Sequence, residues 1–353
     1  MMNFIYFIIA MSVLVIIHEF GHYIACKMFN VYTSEFAVGM GPKLFGKKFK
    51  ETEFTIRAIP LGGFVAIAGD SENALESKIG VDVPLERTMK GISNWKNLVI
   101  ELAGVTMNLL FSIIVVAGIL TYTGTYALDM KPIVKDVLDN SPAQIAGLQA
   151  DDYIVKVEFE DGRVINPESF EDIMTFTSGY SGEITYTVKR NDSLKSFTMK
   201  PELDEKTQYY TSGILLPDVE VANVTISNSI YYSCDYLISL TKNTLVSLGH
   251  MITGKGLEQM SGPVGIFQVT AQAASMGLLT YINFLALLSL NLAIFNLIPL
   301  PILDGGRVVI TLIEMIIRKP VNEKFQNVIM SISMILLLAL MLFVTFKDLI
   351  RLF

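Results

Sequence analysis

Residues 4–22 read FIYFIIAMSVLVIIHEFGH. The run up to Ile17 is almost wholly apolar and uncharged, and it leads directly into His18-Glu19-Phe20-Gly21-His22. On a helix, residues i and i+4 share a face. His18 and His22 can therefore grip one metal ion while Glu19 stays close enough to act on the attacking water. HExxH with the right neighbours reads as a zinc hydrolase site, so Zn2+ is the expected cofactor. Its place on a helix long enough to cross a bilayer narrows the reading to proteolysis within the membrane.

The rest of the chain supports a membrane setting. Of 353 residues, 52% are hydrophobic and 17% charged, against roughly 25% charged in a typical soluble domain. The apolar residues gather in four stretches, approximately 4–24, 98–122, 278–300 and 328–346. Each approaches the ~20 residues of helix needed to cross ~30 Å of hydrocarbon. A cleaved leader is the bland reading of the first stretch. It fails because no lysine or arginine precedes the apolar run and the HExxH would fall where cleavage should occur.

The net charge of -7 argues against a nucleic-acid partner. Ten basic and eight acidic residues lie in 27–96, against eleven basic and twenty acidic in 124–270. The positive-inside rule then puts the HExxH end of the first helix toward the cytoplasm and the acidic segment outside. Cys26 and Cys234 are too few for a disulfide framework and read as ordinary packing.

Between the first two spans, Gly39, Gly41, Pro42 and Gly46 precede an alternating run at 53–59, and 61–69 reads as a glycine-bounded strand containing Gly62 and Gly63. Strands survive at membrane depth only where protein or a wet cavity satisfies their polar groups. A sheet beside the metal would be such a place, and its free edge could pair with an extended substrate. Residues 71–96 read as a polar surface loop. The second span holds Glu101 near its start and Asn108 inside it, and intramembrane polar residues are functional candidates.

From Gly124 to about Pro201 the composition becomes that of a water-soluble module. Strand-like runs occur at 132–137, 153–157 and 183–188, with a short helix at 170–176. Ser141-Pro142 followed by Gly147 predicts another, with serine as N-cap, proline at its first position and glycine at its end. Tyr231, Tyr232, Tyr236, Leu237 and Leu240 then recur at helical spacing, which predicts an amphipathic helix in the membrane interface. The lone His250 reads as a surface or packed residue.

A catalytic zinc needs three protein ligands and one open position. The best third candidate is Asp304, in Asn296-Leu297-Ile298-Pro299-Leu300-Pro301-Ile302-Leu303-Asp304-Gly305-Gly306 at the end of the third span. Two prolines break the helix there and two glycines free the backbone for tight turns. Glu19 would take the proton of the attacking water and pass it to the leaving amine. A helical substrate must unwind before attack, and Asn108, Asn291 and Asn296 are candidates to clamp its exposed backbone.

These motifs, in this order, resemble the bacterial site-2 proteases of the RseP type, which are intramembrane zinc metalloproteases. Beside HEFGH, the segment 102–108 resembles the family's Ala-Gly-Pro-x-x-Asn element, with Val105 in the proline position. Ser141 to Leu148 followed by 151–155 resembles a circularly permuted PDZ module, with Ala150-Asp151-Asp152 where Pro-Gly-Asp is usual. Gly262-Pro263-Val264-Gly265 and 296–305 match two further motifs.

The resemblance implies His18, His22 and Asp304 as zinc ligands and Glu19 as catalytic base. It also implies Asn296 and Asn291 as contacts to a substrate strand. The implied fold is a polytopic α-helical membrane protein: four transmembrane helices, a membrane-embedded β-hairpin or sheet, and an inserted extracytoplasmic α+β PDZ domain. The expected parts are 1–123 (first half of the protease core), 124–205 (PDZ), 206–270 (amphipathic linker) and 271–353 (second half). The implied partners are the bilayer and single-span transmembrane proteins such as anti-sigma factors or remnant signal peptides. The chain is expected to be a monomer in the inner, cytoplasmic membrane. Competing readings are a membrane zincin cutting loops at the cytoplasmic face, and a metal-binding scaffold or transporter.

Overall fold

The computed structural model describes residues 2–69, 83–177, 179–203, 210–252 and 262–351. Residues 71–82 of the expected 71–96 loop therefore lie outside the described residues, as does the side chain of His250. The described chain forms two compact units, Met1–Tyr122 with Thr225–Phe353, and Thr123–Val224.

In the first unit, α1 (Met2–Met28) buries Ala10, Leu14, His18, Gly21, His22 and Ala25. Their spacing of three and four residues puts them on one stripe, so the two histidines belong to the packed face. The second long helix, α2 (Asn94–Thr123), buries Glu101, Gly104, Asn108 and Ser112 on its own inward face. The two helices come into close contact at Gly21, where a Cβ would lie 2.3 Å from the carbonyl oxygen of Ala103.

Between them lie β1 (Thr33–Phe49) and β2 (Thr52–Ile67), far longer than the short strands expected. Each bends and supplies two arms. Residues 35–38 pair with 53–56 on one side and with 63–66 on the other, while 45–49 pair with 52–56. The result is a four-segment sheet in which 63–66 is an outer segment. Alternating apolar residues pack it on α1, with Phe36 and Val65 joining Ala25, Cys26 and Ile100 in one cluster. Both cysteines are free.

Among the described residues, four more helices follow the second unit in sequence. They are α5 (Ser229–Ile252), α6 (Pro263–Ser275), α7 (Leu278–Asn296) and α8 (Asp304–Ile317), before the terminal helix α9 (Glu323–Arg351). α7 ends at Asn296, ahead of the prolines, rather than at residue 300. Reciprocal bonds tie it to α2: Ser112 donates to the carbonyl of Ala286 at 2.8 Å, and Ser289 to that of Asn108 at 3.0 Å. Tyr281 donates to the Tyr6 carbonyl of α1. α5 is amphipathic as expected, and Leu237 packs with Val116, Ala286 and Leu290 on α2 and α7. α6 was legible only as a glycine-proline motif. Its N-terminus is capped from α9, where Asp348 Oδ2 accepts the Gly265 N–H at 2.9 Å. α1, α2, α7 and residues Lys324–Asp348 of α9 are long and apolar enough to cross a membrane.

The second unit, as ordered in sequence, comprises β3 (Thr125–Ala127), β4 (Asp136–Val137), α3 (Pro142–Ala146), β5 (Tyr153–Phe159), β6 (Val164–Ile165) and α4 (Phe170–Thr177). It continues through β7 (Ile184–Arg190), β8 (Ser193–Met199), β9 (Glu202–Leu203), β10 (Tyr210–Thr211), β11 (Ile214–Leu215) and β12 (Val221–Asn223). The main sheet runs β6-β5-β7-β8. α3 starts and stops as its sequence dictates. The Ser141 side chain accepts the Gln144 N–H, and Gly147 takes φ +96° at the end. The core gathers Val134, Leu148, Ile154, Ile184 and Tyr186. The unit extends to Val224, past the expected boundary at 205, because β11 pairs with β4 and β12 with β3.

Candidate active site

α1 presents His18 and His22 one helical turn apart. α7 brings the chain to Asn296, and Leu297 to Leu303 turn back so that α8 begins on Asp304. The close turn explains the two glycines. A Cβ at Gly305 would lie 2.3 Å from the Leu297 carbonyl oxygen, and one at Gly306 would lie 2.2 Å from that of Leu300. Their role is close approach, and neither takes a positive φ. Asp304 thereby occupies the first turn of a helix, where a carboxylate is favoured by the helix dipole.

Three donor atoms converge. His18 Nε2 lies 3.3 Å from His22 Nε2 and 3.1 Å from Asp304 Oδ2, and His22 Nε2 lies 3.5 Å from Asp304 Oδ2. A tetrahedral zinc with bonds of ~2.0–2.1 Å separates its ligands by ~3.3 Å. The three side chains are nearly buried, and Asp304 Oδ2 accepts no hydrogen bond.

The other ring nitrogens have partners of the kind that fix a ligand tautomer. His22 Nδ1 donates to the Ile100 carbonyl at 2.8 Å, leaving Nε2 as an electron-pair donor. The Asn108 amide lies 3.2 Å from His18 Nδ1, while its Oδ1 is buried without a partner. A half-turn of that amide lets Oδ1 accept the Nδ1–H and leaves His18 Nε2 free as well. The residues present fit a zinc ion.

A cavity of about 240 Å3 opens at this cluster, lined by His18, Glu19, His22, Asp304, Asn296, Gly63 and Val65, among others. The Glu19 carboxylate accepts the backbone N–H of Val65, which ties the glutamate to the outer strand segment. Asn296 places its amide nitrogen 3.4 Å from His18 Nε2. Of the remaining candidates, Gly62 takes φ +78° beside Met40 and lies just outside the cavity lining. Asn291 is half-buried on α7 and is not among the lining residues. Asn108 is fully buried and faces His18 rather than open space.

Sequence reasoning noted Gly104 only within the 102–108 element and gave it no role at the site; its position is one turn before Asn108 on α2. A Cβ there would fall 2.4 Å from His22 Nε2 and 2.7 Å from His18 Cε1. The signal was present as a glycine four residues before an intramembrane asparagine on one helix face.

Comparison with known proteins gives the family. A protein of Clostridium acetobutylicum named as a zinc metalloprotease is 37% identical over 348 residues, covering 98% of this chain and 97% of that one. One of Clostridium perfringens with the same description is 34% identical, with 99% of each chain covered. The regulator of sigma-W protease RasP of Bacillus subtilis is 29% identical, with 98% of each covered. The family described as Peptidase family M50 matches residues 6–340, and this chain, a multi-pass membrane protein with a metalloprotease motif, belongs to that site-2 protease family.

Proposed function

We propose that the chain is a zinc-dependent intramembrane endopeptidase that cuts transmembrane segments of single-span proteins. His18, His22 and Asp304 hold the zinc and Glu19 acts as the base. The observation that carries this reading is the convergence of the three donor atoms on a spanning helix, with Glu19 lining the same cavity. Zinc, when bound, supplies Lewis acidity at the scissile carbonyl and makes water a stronger acid.

The chain's own residues do the rest. Glu19 accepts the proton of the attacking water and returns it to the leaving nitrogen. The Val65 N–H orients the Glu19 carboxylate. Backbone groups two residues apart face the same side of a strand, so Gly63 shares the side that Val65 turns toward the cavity. An unwound substrate segment pairs along that side in extended form, and the Asn296 amide donates to its exposed carbonyls. The sheet thus lies at membrane depth, sheltered by α1. Asn108 acts through His18, and Asn291 is a more distant substrate contact.

The second unit serves as an extracytoplasmic PDZ domain that screens what reaches the bilayer. Its short α3 after a serine cap and its sheet core agree with that assignment. The active site faces the cytoplasmic side of the inner membrane, in keeping with the basic charge of 27–96. The name of the Bacillus relative supports anti-sigma factors as a substrate class.

The test is cleavage of a single-span reporter by the purified full-length protein in nanodiscs. Mass spectrometry should locate the cut inside the spanning segment, and Glu19→Gln should abolish it while zinc stays bound. Cutting only in loops outside the bilayer would refute intramembrane action.

A further inference from the structure

A second cavity, of about 530 Å3, lies at the end of α1 and shares no lining residue with the metal cavity. We infer that it binds the phosphate group of an anionic phospholipid. Its walls carry Tyr23, Lys27, Phe49, Lys50, Glu51 and Arg87, drawn from α1, the β1–β2 turn and the segment before α2.

Three cations thus face one carboxylate. Glu51 bridges two of them: its Oε1 accepts from Lys27 Nζ at 2.6 Å and its Oε2 from Arg87 at 2.6 Å. Those bonds fix both cations in place, and Arg87 Nε also donates to the Asn30 carbonyl. One negative charge leaves the group net positive, with Lys50 added beside it over the Phe49 ring. Held cations with spare charge suit an oxyanion.

The surroundings select a lipid over a soluble phosphate. α1 is long enough to span, so its end lies near the headgroups. The turn that closes the cavity carries four lysines and one glutamate within KLFGKKFKE, residues 43–51. Among them Leu44, Phe45 and Phe49 are 69%, 64% and 61% exposed, and Met28 on α1 is 70% exposed. Lysines interleaved with exposed apolar side chains match an anionic headgroup above its acyl chains. Trp95, exposed and paired edge-on with Phe29, marks the same boundary.

The experiment uses the full-length protein in neutral detergent, with native mass spectrometry as readout. Short-chain phosphatidylglycerol should be retained over phosphatidylcholine. Lys50→Gln touches none of the three ion-paired residues and should weaken retention about fivefold, one lysine's share of attraction to an anionic surface. Arg87→Gln should weaken it at least as much. Lys195→Gln, an exposed lysine on β8 outside the cavity lining, should leave it unchanged. Equal retention of the two lipids would overturn the proposal, as would a Lys195→Gln loss matching that of Lys50→Gln. Displacement of the lipid by an equal concentration of inorganic phosphate would overturn the lipid assignment.

Discussion

A Cβ placed on Gly104 would lie 2.4 Å from His22 Nε2, inside any tolerated contact. The imidazole cannot retreat, because its Nδ1 is bonded to Ile100 and the ring is buried. Gly104→Ala should therefore displace a nitrogen of the proposed zinc site, lowering zinc affinity and peptidase activity at least ~100-fold, the upper end for a disturbed ligand shell. Zinc content by elemental analysis and reporter cleavage measure the two effects. Normal zinc occupancy in the variant would contradict the geometry.

Asn108 is assigned to His18 rather than to substrate. Asn108→Ala should lower zinc affinity ~10–100-fold with KM for a reporter unchanged at saturating zinc. Asn108→Asp offers an acceptor to His18 Nδ1–H and should restore much of the affinity. A raised KM with normal zinc binding would return Asn108 to the substrate.

Asp304→Asn keeps the side chain's shape and removes its charge. Zinc occupancy after dialysis should fall sharply, whereas Glu19→Gln, which alters the proposed base and leaves the three proposed donors, should retain zinc and lose cleavage. Equal zinc loss in both variants would mean that the two carboxylates have the same role.

In the second unit, Arg190 grips the fully buried carboxylate of Asp152 through two of its nitrogens and also bonds the Gly147 carbonyl. Removing one partner strands the other charge in the interior. Arg190→Met should cost about 3 kcal/mol or more, read as faster proteolysis within 123–224 of the intact protein. Unchanged proteolysis would show that Asp152 is satisfied without the arginine.

Glu51 sets a pH dependence. Burial pushes its carboxyl up, but hydrogen bonds from Lys27 and Arg87 outweigh that and hold it below the ordinary value of 4.5. A depressed carboxylate stabilises the fold above its unfolded value and stops doing so as pH falls through its folded one. Glu51→Gln should therefore melt at a lower temperature than the native chain at pH 7, and the gap should close as pH drops below 4.5. Fluorescence of Trp95, the single tryptophan, reports the transition. A gap that persisted in acid would assign the effect to packing.

How much of this was readable follows the range of the interactions. The HEFGH run is local, and so are the Ser141 cap and Gly147 stop of α3. Asp304 was legible from its proline-broken surroundings, but α8 was not, because Gly305 and Gly306 look like turn formers when only the space they leave is needed. Alternation at 53–59 signals a strand without revealing that residues 35–38 pair on both edges, since pairing partners are distant in sequence. The end of the second unit was missed because β11 and β12 are too short to carry a pattern. Asn108 was visible as a buried amide, and only coordinates distinguish a histidine's partner from a substrate clamp.

His18 and Asp304 meet although nearly the whole polypeptide separates them. With zinc held as proposed, a ribosome that has translated as far as Leu303 has produced both histidines and a protein unable to cut anything. The enzyme is thus silent through most of its own insertion into the bilayer and becomes able to cut only once α8 has emerged.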